Sequence, residues 1–545
     1  MIWRPSTVMA RGGHITPVHW LLVLVTAVVL TLASCLRVPD SDAPKEIDGP
    51  FASLLADSTD LGPARGDHVQ LTAKLKAAAH PDGLIGWADE QHISVRWRPG
   101  DDWAIVEGTP HDVASAFGVE IHDYRGKKGQ EFYASPQQPV VPRQLRDEVV
   151  EVGRILSYTP HHTSQPPLPP LEVPDRGLSP AALLTTYNAE KLARDGYTGK
   201  GQTIVIFAFN GFDQADLDAY ATTSGLPKFT PTLVGNQLPQ PYGETTMDLE
   251  VAHAIAPDAQ KVVVNARPTV EGEGAYAKIG KMLEDTERRF PGAVWSFSIG
   301  WGCDKLITAA DLAPVRFALA AAQERGTTAF DASGDLAGFE CKGGDDWDSP
   351  PGPNDIGLDS VASMPEMTNV GGTTLSTDAK GVWLSEQAWF DVPLSQGTGG
   401  GVSALFELPP WQRGITETVA PERNNGKRMT PDIAAVADPF TGVKILLDGQ
   451  PAIGGGTSQS APIWAALAAV MNQYLLANGG GLIGDINPVL YRIAQGAPLP
   501  AFRDVVLGGN AVDNAGPGYD LVTGLGTPDV NNLVHNILLL QRTNP

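Results

Sequence analysis

The chemistry to account for first lies in the run Gly454-Gly455-Gly456-Thr457-Ser458-Gln459-Ser460-Ala461-Pro462. Residues 443–447 ahead of it read as a strand, Asp448-Gly449 as a turn, and residues 463–471 behind it as a buried helix. Glycines at such a passage let a backbone or a substrate come close. A serine in the first helical turn has its hydroxyl near unpaired N–H groups and the positive end of the helix dipole. The same N–H groups can stabilise an oxyanion, so Ser458 is a candidate nucleophile. From this stretch alone, an ordinary N-cap beside a glycine loop reads equally well.

A serine nucleophile needs a base, most often histidine. From residue 178 onward the sequence offers only His253 and His535. His535 falls among Leu533, Ile537 and Leu538 of a C-terminal helix and reads as structural. Residues 243–257 read as a helix closed by Pro257. On it Glu244 and Asp248 are four apart and within about 40° of each other. His253, nine residues past Glu244, falls about 180° away. Two like charges on one face cost stability unless something uses them. One use is a carboxyl whose pKa is raised until it can exchange a proton. Taken alone, the pair also fits a solvated helix face. A third acid, Asp335, closes the turn Asp331-Ala332-Ser333-Gly334-Asp335 after a strand at 327–330. Catalytic groups gather at such carboxyl ends of parallel strands, although a lone aspartate there also reads as a turn residue.

The elements that must position these groups follow a βαβ rhythm from about residue 178. Residues 202–209, 261–266, 293–299 and 327–332 are near-continuous apolar runs, as in parallel strands buried on both faces. Helical stretches at 213–224, 275–290 and 309–325 alternate with them. The expected architecture is α/β, with a largely parallel sheet flanked by helices. Residues 61–160 instead carry an α+β pattern: helices at 71–79, 110–117 and 142–152, and a strand at 92–98. Residues 160–174 hold six prolines, so 161–177 reads as an extended junction open to proteolysis.

The N-terminus carries Arg4 and Arg11, then an uncharged apolar run at 20–34 that suits a signal h-region better than a membrane span. It ends in Leu32-Ala33-Ser34-Cys35, similar to a bacterial lipobox with Cys35 as the lipidated residue. A plain secretory cleavage near Ser34 and a retained anchor are the other readings. Residues 35–60 are polar and read as a tether. The expectation is export, as a surface lipoprotein or a secreted protein. Cys303 and Cys341 then remain, a pair able to form a disulfide in an exported chain. A net charge of −23 over 545 residues argues against nucleic acid as a partner.

Together these pieces resemble one family. Ser458 in Gly-Gly-Thr-Ser-x-x-x-Pro, the Glu244-x-x-x-Asp248 helix and Asp335 in a Ser-Gly-Asp turn look like the sedolisins, the serine-carboxyl peptidases. Residues 296–302 (SFSIGWG), 363–375, 399–403 (GGGVS) and 431–439 agree in the family's order. Residues 113–119 (VASAFGV) resemble its activation prodomain. The resemblance implies a subtilisin-like catalytic domain at 178–545 behind an α+β activation prodomain at 61–160. It implies Ser458 as nucleophile, Glu244 as base and then acid, Asp248 orienting Glu244, and a protonated Asp335 at the oxyanion hole. An acidic optimum follows. It also implies one structural Ca²⁺, held by the Asp504 and Asp520 side chains and the carbonyls of Val505, Gly516 and Gly518.

Polypeptides are the expected substrates, cut as an endopeptidase or a tripeptidyl-peptidase. The chain's own prodomain is the expected inhibitor, and a monomer the expected state. The sequence departs from the family in two places. Leu336 follows the Ser-Gly-Asp turn where many relatives have serine, and Phe207-Ala208-Phe209 lacks the acid many relatives carry in the first strand. The rival from another class is a catalytically silent, peptide-binding surface lipoprotein.

Overall fold

The computed structural model describes residues 43–127, 129–157, 162–163, 177–239, 243–342, 351–391, 396–416 and 419–543. The signal segment, Cys35, the start of the tether and most of the Pro-rich junction lie outside these residues. Among the described residues no helix is long and apolar enough to cross a membrane.

The central sheet runs Thr232–Val234, Gln260–Asn265, Thr203–Ala208, Val294–Phe297, Thr328–Ala332, Thr368–Thr377. Neighbours along this path are parallel. Ile433–Val436 adds a parallel pairing to Thr368–Thr377, and Trp383–Ala388 closes that edge antiparallel. The sequence of Thr203–Ala208 explains its place. Alternate residues of a strand face opposite ways. Ile204 and Ile206 enter one core, and Val205 and Phe207 the other. The first core receives helices Glu244–Ile255 and Thr457–Ala477, packed against each other. The second receives Ala275–Arg289 and Ala313–Gln323. Both candidate catalytic helices thus lie on one face of the sheet.

Residues 443–447 do not run directly into the Ser458 helix. Lys444–Leu447 forms a hairpin with Gln450–Ile453. Its turn, Asp448-Gly449, has φ of 51° and 70°, the doubly positive pair of a tight hairpin turn. Glu250 accepts from Leu446 N–H at 2.7 Å, and Asp216 from the N–H groups of Asp448 and Gly449, both at 2.8 Å. Two helices therefore fix the hairpin that delivers the glycine run.

The N-terminal half has its own sheet, ordered Ser94–Arg96, Trp103–Gly108, Val69–Leu75, Val149–Val152, and antiparallel throughout. Its core includes Leu71, Trp87, Val113 and Phe117. Helix Pro110–Phe117 starts where Thr109 accepts from Asp112 N–H and stops at Gly118, φ 65°. Two expected helices are absent. Residues 69–75 form a central strand, because tertiary pairing on both sides overrides the helix propensity of Ala, Leu and Lys. Residues 142–152 give only a 3-10 turn, Arg143–Leu145, before the strand Val149–Val152. The tether also needs correction. From Lys45 onward it is structured, with helix Gly49–Ala56 and strand Thr59–Pro63, because Phe51 is fully buried.

Candidate active site

Helix Thr457–Ala477 carries Pro462 inside it. Proline has no N–H, so the carbonyl four residues earlier loses its helical partner. That carbonyl belongs to Ser458. Ser298, just past the carboxyl end of strand Val294–Phe297, supplies the missing donor: its hydroxyl lies 2.9 Å from Ser458 O. The same Ser298 Oγ lies 3.0 Å from Asp248 Oδ1. In return, Ser458 Oγ points at Ser298 O, 3.5 Å away.

A hydroxyl has one proton to give. Ser298 Oγ lies within reach of two acceptors and cannot donate to both at once. Its Oγ–H therefore serves either Asp248 Oδ1 or Ser458 O at a time. Asp248 is 1% exposed. Burial, then the neighbouring Glu244 carboxylate, push its pKa well above the ordinary aspartate range, against the hydrogen bond from Ser298. Glu244 opens the helix one turn ahead and is itself buried. The face shared by these two acids is therefore interior, which rules out the solvated-face reading.

Asp335 docks on the residue before Ser458. Its Oδ1 accepts from Thr457 N–H at 2.7 Å and from Thr457 Oγ1–H at 2.8 Å. Thr457 Oγ1 in turn accepts from Gly334 N–H at 3.1 Å. The fit leaves no room at Gly456, φ 81°, where a Cβ would stand 2.6 Å from Asp335 Oδ2. Behind the turn lies Glu340, which sequence reasoning missed. It is buried, and its Oε1 accepts from Leu336 N–H at 2.9 Å. A Cβ on Gly334 would fall 2.2 Å from its carboxyl carbon. Burial, with Asp335 and Asp359 near, raises the Glu340 pKa strongly. Ser298 was missed as well; the usable signal was Pro462, four residues after Ser458.

Neither histidine of the catalytic half sits with this group. His253 is fully buried, donates from Nε2 to Pro227 O at 2.7 Å and accepts at Nδ1 from Lys261 Nζ at 3.1 Å. Burial, then the Lys261 charge, lower its pKa to about 4. His535 bonds Asn531 O and the Tyr474 hydroxyl. Trp301 donates its indole N–H to Thr269 Oγ1 at 3.0 Å and packs edge-on against Phe209, a hydroxyl and a ring rather than an acid.

A peptide already lies along the edge beside Ser298. His162 and Thr163 pair antiparallel with Gly300 and Ile299. Cys303 and Cys341 are disulfide-bonded, tying the end of this segment to the residue after Glu340.

In the C-terminal loop, peptide N–H groups lie against the two aspartates expected to hold a metal. Asp504 Oδ2 accepts from Gly518 N–H at 2.8 Å. Asp520 Oδ2 accepts from Gly516 N–H at 3.0 Å, and its Oδ1 from the N–H groups of Val522 and Thr523. The peptides at 516–518 thus run between the two carboxylates. Burial raises Asp520 to about 6, against the hydrogen bonds from Gly516, Thr523 and Val522. Carboxylates with peptide carbonyls are the hard donors Ca²⁺ takes, so the residues fit that ion.

Comparison with known proteins adds the last evidence. Residues 67–157 match the model of the pro-kumamolisin activation domain. Kumamolisin from Bacillus sp. (strain MN-32) is 30% identical over 508 residues, covering 88% of this chain and 85% of that protein. Sedolisin from Pseudomonas sp. (strain 101) is 28% identical over 468 residues, covering 78% and 73%. The solved structure of Pseudomonas sedolisin, a serine-carboxyl proteinase complexed with pseudo-iodotyrostatin, superposes with a TM-score of 0.56 at 25% identity, covering 68% of this chain and 99% of that one. A carboxyl-lined serine on a parallel α/β sheet, behind an activation domain, thus places the chain in the sedolisin family of serine-type peptidases.

Proposed function

We propose that the protein is exported as a zymogen and hydrolyses peptide bonds in acid, as an endopeptidase or a tripeptidyl-peptidase. One observation carries the reading: Ser458 is joined to buried Asp248 through Ser298, with no imidazole beside it among the described residues. Ser458 Oγ attacks the substrate carbonyl carbon while Glu244 takes its proton. The tetrahedral oxyanion accepts a hydrogen bond from protonated Asp335. The C–N bond breaks as Glu244 returns the proton to the leaving amine. Water then cleaves the Ser458 ester by the same exchange. Asp248 orients Glu244 and tunes its proton affinity. Lipid on Cys35, if the lipobox is used, anchors the zymogen to the membrane.

The pairing of His162–Thr163 with Ile299–Gly300 supports self-processing, because an extended chain on an open strand edge is bound as a substrate is. Mass spectrometry of the purified chain held at pH 4 should show a new N-terminus closely following Thr163. Ser458→Ala should stay whole. An uncut wild-type chain that also leaves casein intact would favour the silent binder.

Asp504 and Asp520, with the carbonyls of Val505, Gly516 and Gly518, would hold Ca²⁺, which supplies positive charge to pin the C-terminal loop. Stripping a bound ion removes linked stability, so EDTA should lower the Tm by about 5 °C. An unchanged Tm rejects the site.

Buried acids also set the stability profile. Glu250 is raised to about 9, Asp485 to about 7, and Asp304 and Asp359 to about 6, each chiefly by burial. A carboxyl with a higher pKa folded than unfolded holds its proton more tightly in the fold. Its stabilisation is complete below the unfolded pKa and is lost as pH rises toward the folded one. Ser458→Ala, which cannot digest itself, should therefore melt highest near pH 4 to 5 and lose about 5 °C or more by pH 8 to 9. A flat or rising profile would mean these acids are ionised in the fold.

A further inference from the structure

The segment ahead of the activation domain bridges both halves of the molecule. Lys45 and Glu46 pair with Gln138 and Gln137, and Ile47 N–H donates to Pro136 O at 3.0 Å. Thr59–Pro63 pairs with His122–Arg125. Both ends of the segment therefore belong to the prodomain. Helix Gly49–Ala56 between them packs on both halves. Phe51 is 0% exposed and belongs to an apolar cluster that joins Phe297, Trp301 and Met364 of the catalytic half to Tyr124, Phe132 and Ala134 of the prodomain. Ile47, Leu54 and Leu55 pack on the same cluster. The helix touches two short turns, Asp304–Leu306 and Pro353–Asp355. On the prodomain side, the Arg154 guanidinium lies 4.9 Å from the Phe51 ring centre, and Arg154 N–H donates to Asp311 of the catalytic half.

We propose that residues 45–57 are a latch, whose Phe51 fills an apolar seam between prodomain and peptidase unit and keeps the prodomain bound after the junction is cut. The partner this surface fits is the chain's own N-terminal helix. Its placement bears on activity. The Asp304–Leu306 turn follows Cys303, and the Pro353–Asp355 turn leads to Asp359, which accepts from the N–H groups of Trp301 and Gly302 at 2.8 and 3.0 Å. The turns the latch packs on are thus joined to the residues that follow Ile299–Gly300, the strand that carries His162–Thr163. Cutting the junction alone would leave the prodomain in place, and activation would need the latch to let go. This consequence rests on the zymogen reading; the binding itself does not.

The test uses the full chain with Ser458→Ala and a specific protease recognition sequence inserted within residues 164–176, so that the nick is independent of the chain's own activity. After cutting, size exclusion should give one complex. Phe51→Ala should raise the dissociation constant of the N-terminal fragment about 100-fold or more, the usual consequence of emptying a buried aromatic site. Phe51→Leu, which refills most of the volume, should stay within about tenfold. Equal retention by wild type and Phe51→Ala overturns the latch. Should Phe51→Ala not fold, a second recognition sequence between Asp57 and Ser58 severs the segment after folding. The prodomain should then dissociate at least tenfold faster, and an unchanged rate equally overturns the proposal. A failure of the peptidase reading would show instead as wild-type chain that never nicks itself.

Discussion

Glu244→Gln is expected to lower kcat by about 10⁴-fold with little change in KM, and to leave the chain unprocessed at pH 4. The amide keeps the shape of the side chain at the head of helix Glu244–Ile255 but cannot take a proton from Ser458. General-base catalysis accounts for about 10²–10⁴ in rate, and groups that act as a unit lose more than their single share. Asp248→Asn should cost far less, about 10²-fold. Burial and Glu244 hold the Asp248 pKa well above the ordinary range, and the amide oxygen of an asparagine can still accept from Ser298 Oγ–H as Asp248 Oδ1 does. What Asp248→Asn removes is the ability to pass charge to Glu244, not the link to Ser458. Steady-state kinetics on a peptide substrate with pre-nicked protein would separate the two variants. Equal losses would place both carboxyls in the same role, and a fully active Glu244→Gln would remove the carboxyl base altogether.

The ratio between these two variants depends on contacts the sequence only half discloses. The parallel sheet was legible, because strands such as Thr203–Ala208 must be apolar on both faces and leave no other period to read. Glu244 and Asp248 were legible as a pair, since helix geometry alone puts them together. That both are buried was not, because a carboxylate gives no sign in sequence of the surface that will cover it. Ser298 was hidden for the same reason: a serine after a strand is unremarked until another chain segment needs its proton. Pro462 announces that need, yet which donor meets it is a matter of tertiary packing. Glu340 sits five residues past Asp335 in what reads as a loop, and only the closeness of Gly334 shows that its carboxyl lies under the turn. The errors have a common cause. Residues 71–79 are rich in good helix formers, but 71–75 fall in a central strand and gain pairing on both edges and burial that outweigh propensity. Residues 45–57 are polar on average, and an average conceals one phenylalanine that is buried completely.

The second large effect concerns Asp335, and its readout is the pH profile as well as the rate. Removing an oxyanion-hole donor costs about 10²–10³ in kcat. Asp335→Ala should show that loss at every pH. Asp335→Asn should behave differently. Its Oδ1 can still accept from Thr457 N–H and Thr457 Oγ1–H, as the aspartate does, which sets the amide NH₂ where the carboxyl proton would be. The donor then no longer titrates. In the wild type, activity that needs the protonated acid falls as pH rises through the pKa of Asp335. In the Asp335→Asn variant that fall is removed and activity should extend toward neutral pH, at a lower plateau because an amide is the weaker acid. Substrate hydrolysis from pH 3 to 8 on pre-nicked enzyme measures this. If the alkaline limb of Asp335→Asn coincides with the wild type, the titrating group is Glu244 and Asp335 only shapes the turn. If Asp335→Ala loses less than tenfold, the oxyanion is held by the N–H groups at the head of helix Thr457–Ala477 alone, and Asp335 acts through Thr457 rather than on the substrate.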